Sequence, residues 1–164
     1  MPAPKRGMTS FYDEVQEIRT RYPEGTRSAI LPALRLAQER HGGWLSRRAF
    51  EEVADALDLT PAYCYSIASF YDMLHLDPVG AHTIEVCTNV CCGLVNAQAV
   101  LDAFERELGV GPGETTEDGA ITLRAVECLG GCSTPTIVAV DHRYRQSVTP
   151  EDVAAIVEEL RERE

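Results

Sequence analysis

Two pairs of cysteines constrain this chain more than any other feature. Cys87 and Cys92 stand with four residues between them, Cys128 and Cys132 with three, and 35 residues separate the pairs. Spacings this short keep each pair on one loop, so a fold that uses both must bring two distant loops to one place. Four thiolates gathered in this way can hold two irons, two sulfurs to each iron. An electron carrier is the leading reading.

Other readings use the same residues. Structural zinc takes short cysteine pairs, with spacings of up to four residues. A thiol–disulfide enzyme would want C-x-x-C, which the chain lacks. Cysteine also serves as a small core hydrophobe, which suits a single residue such as Cys64 better than two pairs flanked by glycines. Cys91 adjoins Cys92, so Cys87 with Cys91 is an alternative first pair. Gly93 follows Cys92, and Gly130-Gly131 lie between Cys128 and Cys132. Glycines there permit tight turns and close approach of backbone N–H groups to a cluster, where they help to set its potential.

The net charge of −11 argues against nucleic acid as a partner. Charge is also uneven: residues 1–50 hold nine Lys/Arg against five Asp/Glu, and residues 51–164 hold six against 21. Such asymmetry is expected either of two parts with different neighbours or of two solvated faces. The opening Met1-Pro2-Ala3-Pro4-Lys5-Arg6-Gly7 has no apolar run behind it, unlike a secretory signal. No stretch approaches the ~20 apolar residues of a membrane span. A cytoplasmic location follows as the expectation. Thiols stay reduced there, and paired cysteines read as metal or redox groups.

The first part reads as helical. A segment over 10–22 is closed by Pro23-Glu24-Gly25. Ser28 is placed to cap a second helix, which ends at His41-Gly42-Gly43. Ser46 caps a third, with Phe50, Val53, Ala54 and Leu57 on one face. Thr60-Pro61 starts a fourth, with a stripe of Tyr63, Ile67, Phe70 and Leu74. Trp44 reads as a packing anchor, and His41, His75, His82 and His142 as surface or end-of-element residues. Four short helices suggest a small bundle.

The pattern changes at Asp77-Pro78-Val79-Gly80. Residues 82–86 alternate as a strand running into Cys87, 94–108 form a helix, and 121–126 form a second strand that delivers Cys128. Residues 136–140 and 144–147 read as a hairpin across Asp141-His142-Arg143. Thr149-Pro150 opens a last helix whose stripe is Val153, Ile156, Val157 and Leu160. The order βαβ–ββα allows one parallel crossover and one hairpin in a single sheet, a thioredoxin-like arrangement. The expected fold class is α+β: a helical bundle over 1–76, then a thioredoxin-like ferredoxin domain with a mixed four-stranded sheet over 77–164. No Gly-rich dinucleotide turn is present, so the chain alone is not expected to oxidise NADH.

Cys87-Thr88-Asn89-Val90-Cys91-Cys92, Val126-Glu127-Cys128-Leu129-Gly130-Gly131-Cys132 and Ser66-Ile67-Ala68-Ser69-Phe70-Tyr71 with Pro78-Val79-Gly80 together resemble one family. It is the thioredoxin-like [2Fe-2S] subunit of respiratory complex I, the E-subunit family of NADH-quinone oxidoreductase. The same subunit type occurs in NAD-linked formate dehydrogenases and hydrogenases. The resemblance runs from about Ser28 to the last helix. Cys91 stands where the family usually has proline or another non-ligand residue, and Ser133-Thr134-Pro135 departs slightly from its usual wording. The resemblance implies one [2Fe-2S] cluster on Cys87, Cys92, Cys128 and Cys132. It implies single-electron exchange with the flavin of an NADH-binding partner subunit, and further iron–sulfur subunits in the same peripheral arm at the inner face of the cell membrane. Residues 1–76 would be a docking element for the flavin subunit.

Overall fold

The computed structural model describes residues 10–22 and 26–162. The expected closure at Pro23-Glu24-Gly25 lies outside them. The chain divides into two compact units, Met1–Pro78 and Val79–Glu164.

Among the described residues the first unit holds four α-helices: α1 (Phe11–Thr20), α2 (Ile30–Arg40), α3 (Arg47–Leu57) and α4 (Pro61–Ala68). Their starts are mostly local chemistry. The hydroxyls of Ser10, Ser46 and Thr60 accept backbone N–H bonds from Asp13, Ala49 and Tyr63, satisfying donors that a helix start leaves open. Helix α2 differs from expectation. Thr26–Ala29 wind as a 3₁₀ turn that feeds straight into it, so Ser28 lies inside the turn and does not cap; the N-cap position falls on Ala29, without a side-chain bond. Apolar faces from all four helices meet around Val15, Leu34, Phe50, Val53, Leu57 and Cys64. Burial pushes the Cys64 thiol up to about 11, as expected of a core cysteine. Gln38 ties the chain beyond α4 to α2, donating to the Met73 carbonyl at 3.1 Å and accepting from the His75 N–H at 2.7 Å.

Three residues depart from their sequence reading. Phe70 is 82% exposed, because α4 ends at Ala68 and the chain leaves the helix before Phe70 although the apolar period continues. His75 is buried, and beside Trp44, itself only half-buried, it is Leu45 that enters the core.

The second unit is a four-stranded sheet in the order β2-β1-β3-β4, made of β1 (His82–Cys87), β2 (Ile121–Val126), β3 (Val138–Val140) and β4 (Arg143–Arg145). Strand β1 pairs parallel with β2 and antiparallel with β3; β3 and β4 form a hairpin. The hairpin turn is Asp141-His142 alone, both at positive φ (48° and 62°), the geometry whose twist matches flanking strands. The expected helix over 94–108 begins at Ala97 instead, as α6 (Ala97–Leu108), after Asn96 turns left-handed at φ 68°; a separate short helix, α5 (Val90–Leu94), which the sequence reading did not include, precedes it. Strand β3 is shorter than expected. Helix α7 (Val153–Arg161) follows a capping box between Thr149 and Asp152.

Alternation along the strands gives the sheet two distinct faces. Ile84 and Val86 of β1, Leu123 of β2, and Val138 and Val140 of β3 share a core with Phe104 of α6 and Val157 of α7. Glu85 and Cys87 point to the other face.

Candidate metal centre

Strands β1 and β2 lie side by side in parallel, with Cys87 opposite Val126. Both therefore release their loops at the same edge of the sheet, and this adjacency brings the two distant cysteine pairs together. Cys87 is the last residue of β1. Its N–H donates to the Ile137 carbonyl at 3.1 Å, and the Thr88 N–H donates to the Val126 carbonyl at 2.9 Å. Asn89 then caps α5 by accepting the Val90 N–H at 2.7 Å, so Cys91 and Cys92 sit on a helical turn rather than an open loop. Cys128 and Cys132 lie on the irregular segment after β2 and are exposed, whereas Cys87 and Cys92 are buried.

Five sulfurs gather here. Burial pushes the Cys92 thiol up, and the neighbouring Cys87 sulfur pushes it further; the Ile137 N–H opposes both. Cys132 is pushed up first by hydrogen-bonded contact with Cys91, with added repulsion from Cys128 and Cys87. Thiolates crowded in this way repel one another, and bound metal relieves the repulsion. Among the described residues no three His, Cys, Asp or Glu side chains are grouped as around a single metal ion. A two-iron cluster makes a different demand, two thiolates at each iron, and two pairs from two loops suit it. In kind the donor set suits such a cluster, and Cys87 with Cys92 and Cys128 with Cys132 are the residues that would hold it. Cys91, half-buried, is the fifth sulfur, turned toward Cys132.

The glycines play unequal parts. Gly130 is at φ +75° and its N–H points at the Cys128 sulfur, 3.4 Å away. A Cβ on Gly131 would lie 2.6 Å from Cγ1 of Ile137, so this loop packs directly onto the small cluster of Cys87, Cys92, Ala97 and Ile137. Gly93 is under no such constraint: its N–H is bonded to the Asn89 carbonyl at 2.8 Å, and a Cβ there would meet only the Thr88 carbonyl oxygen at 3.7 Å. Around the site, Val90, Leu94 and Val95 leave apolar side chains in solvent. Alternation would place Glu85 on a polar face. It is nonetheless buried, because Arg124 on the facing strand binds it at 3.1 Å.

Residues 15–161 match the sequence model of the thioredoxin-like [2Fe-2S] ferredoxin family. The chain belongs to that family. Its members carry a single [2Fe-2S] cluster. Among its relatives, the E subunit of NADH-quinone oxidoreductase from Rickettsia bellii is 40% identical over 147 residues, 89% of this chain and 88% of the relative. The E 2 subunit of the same kind of oxidoreductase from Rhizobium meliloti is 39% identical over 149 residues, 91% of this chain and 88% of the relative. An NAD+-reducing [NiFe]-hydrogenase chain shares the fold, with a TM-score of 0.72 and 20% identity. That match covers 82% of this chain but only 23% of the hydrogenase chain.

Proposed function

We propose that this chain is the electron-transfer subunit of an NADH:quinone oxidoreductase, holding one [2Fe-2S] cluster on Cys87, Cys92, Cys128 and Cys132. The observation that carries this reading is the parallel pairing of β1 and β2, which delivers two cysteine pairs to one edge of one sheet. Such a cluster, when bound, supplies one-electron chemistry. The chain's own residues hold it, bury one side of it, and leave the other open: Cys128 and Cys132 are exposed, a suitable side for electron exchange with a partner.

The partner is a flavin- and NADH-binding subunit of the same complex, with further iron–sulfur subunits beyond it in the peripheral arm. Exposed Val90, Leu94 and Val95 beside the cysteines support a docking face close to the cluster. Tyr65, Phe70 and Met73 in the first unit are exposed as well, and support residues 1–76 as a docking element. The chain acts within an oxidoreductase and does not oxidise NADH alone. Its place is the cytoplasmic side of the membrane-bound complex; among the described residues no helix is long and apolar enough to cross a membrane.

Iron and acid-labile sulfide measured together with the absorption spectrum test this reading. Two irons and two sulfides per chain are expected; a colourless zinc protein would refute it. A second reading is the equivalent subunit of an NAD-linked hydrogenase or formate dehydrogenase, favoured by the fold shared with the hydrogenase chain. The subunits that co-purify with the chain decide between the two.

A further inference from the structure

Glu85 and Arg124 face each other across β1 and β2, and the guanidinium Nη1 donates to the Glu85 Oε1 at 3.1 Å. Their side chains are only 12% and 19% exposed. On the other side of Glu85, β3 contributes Ala139, which brings no charge. The next row of the same sheet face is Cys87 opposite Val126. Strand geometry puts the Glu85 and Cys87 Cα atoms about 7 Å apart with side chains on one face. A buried ion pair therefore stands one row behind a residue assigned as a cluster ligand. At this range, and largely out of water, each charge acts on a neighbouring redox centre with little screening.

We propose that Arg124 is a potential-setting residue: it neutralises Glu85 behind the cluster and so keeps the reduced, more negative state accessible. This rests on the reading of Cys87 as a ligand of a [2Fe-2S] cluster. Reduction adds one electron and one negative charge at the site. With the pair intact, the Glu85 carboxylate behind Cys87 is offset by the Arg124 guanidinium. Without Arg124, a carboxylate remains there and disfavours the added electron. Without Glu85, a guanidinium remains and favours it. The two losses act in opposite directions, a signature that mere loosening of the fold does not produce.

The test is a dithionite titration of the full-length holoprotein, followed by EPR and visible absorption. Arg124→Gln is expected to shift the one-electron equilibrium about tenfold toward the oxidised form, a fall of about 59 mV. Glu85→Gln is expected to shift it about tenfold the other way. Arg124→Lys, which keeps the charge, and the double variant E85Q/R124Q are each expected to stay within a twofold shift, about 18 mV, of the unaltered protein. Single variants that move together, or that both move less than twofold, overturn the proposal. Should either single variant fail to take up iron, the double variant carries the test: a shift of tenfold or more overturns the proposal and an unchanged midpoint supports it. Iron and sulfide in the unaltered protein are read separately. Their absence removes the cluster reading itself, whereas their presence with unmoved midpoints removes only the role of the pair.

Discussion

Replacing Gly131 by alanine inserts one methyl group where the structure has no room. The added Cβ would lie 2.6 Å from Cγ1 and 2.7 Å from Cδ1 of Ile137, against the ~3.5–4.0 Å of ordinary carbon contact. Ile137 cannot swing aside cheaply, since it is 1% exposed and packs against Cys87, Cys92 and Ala97. Its backbone also accepts the Cys87 N–H at 3.1 Å, so any shift reaches the first cysteine pair. Overpacking of this kind costs about 1–3 kcal/mol, which for a chain of this length lowers Tm by about 2–12 °C. Thermal unfolding followed by circular dichroism, together with retention of the visible absorption, measures both effects. Ile137→Ala is the control. Alone it costs about 2–5 kcal/mol, but combined with Gly131→Ala it removes the clashing atoms, so the double variant should lose less than the sum. A Gly131→Ala protein with unchanged Tm, or a double variant that loses the full sum, would refute the packing argument. Gly130→Ala makes the contrast. Its Cβ enters open space, so only the left-handed backbone is penalised, by about 1–2 kcal/mol, with no rescue from Ile137→Ala.

Cys87, Cys92, Cys128 and Cys132 each changed to Ala should lose or destabilise the cluster, whereas Cys91→Ser and Cys64→Ala should keep its absorption and EPR signal. Bleaching by Cys91→Ser but not by Cys92→Ser would move the ligand by one position. The Cys64 thiol, raised by burial to about 11, contributes stability that is complete below the ordinary thiol pKa and is lost as pH rises through 11. Chemical denaturation between pH 8 and 11 should therefore show an alkaline decline that Cys64→Ala lessens; identical slopes would refute this. With four thiolate ligands and no histidine, the midpoint should be on the order of −400 mV, and one above about −150 mV, inside the Rieske range, would contradict the assignment. Phe70→Asp should weaken association with the flavin-bearing subunit in pull-down while leaving iron content unchanged; undiminished binding would argue against that face as a contact.

Much of the local structure is legible residue by residue. Ser46 and Thr60 mark helix starts because a hydroxyl needs only the N–H groups of its own next turn. The apolar stripes of α3 and α7 mark their buried faces because helical period is a local property. The strands over 82–86 and 121–126 show by alternation, and the spacing of the cysteines shows that two loops are candidates for one metal site. Where an element stops is harder to see. The stripe that includes Phe70 keeps its period past the point where α4 ends, and nothing in the period of residues 94–108 announces that Asn96 will turn left-handed and delay the helix start to Ala97.

What the sequence alone determined is therefore the set of elements, their inward faces and the pool of sulfur donors. The tertiary structure decided what sits beside what. Only the packing of β1 between β2 and β3 puts both cysteine loops at one edge. Only that packing turns Cys92 into the buried pocket with Cys87 and leaves Cys91 against Cys132. Glu85 makes the same point from the opposite side: its burial depends on an arginine 39 residues away. Bonds within a turn of helix depend on neighbours in the chain, and so can be read there. Contacts between strands are chosen by the core as a whole, and no single stretch of sequence contains them.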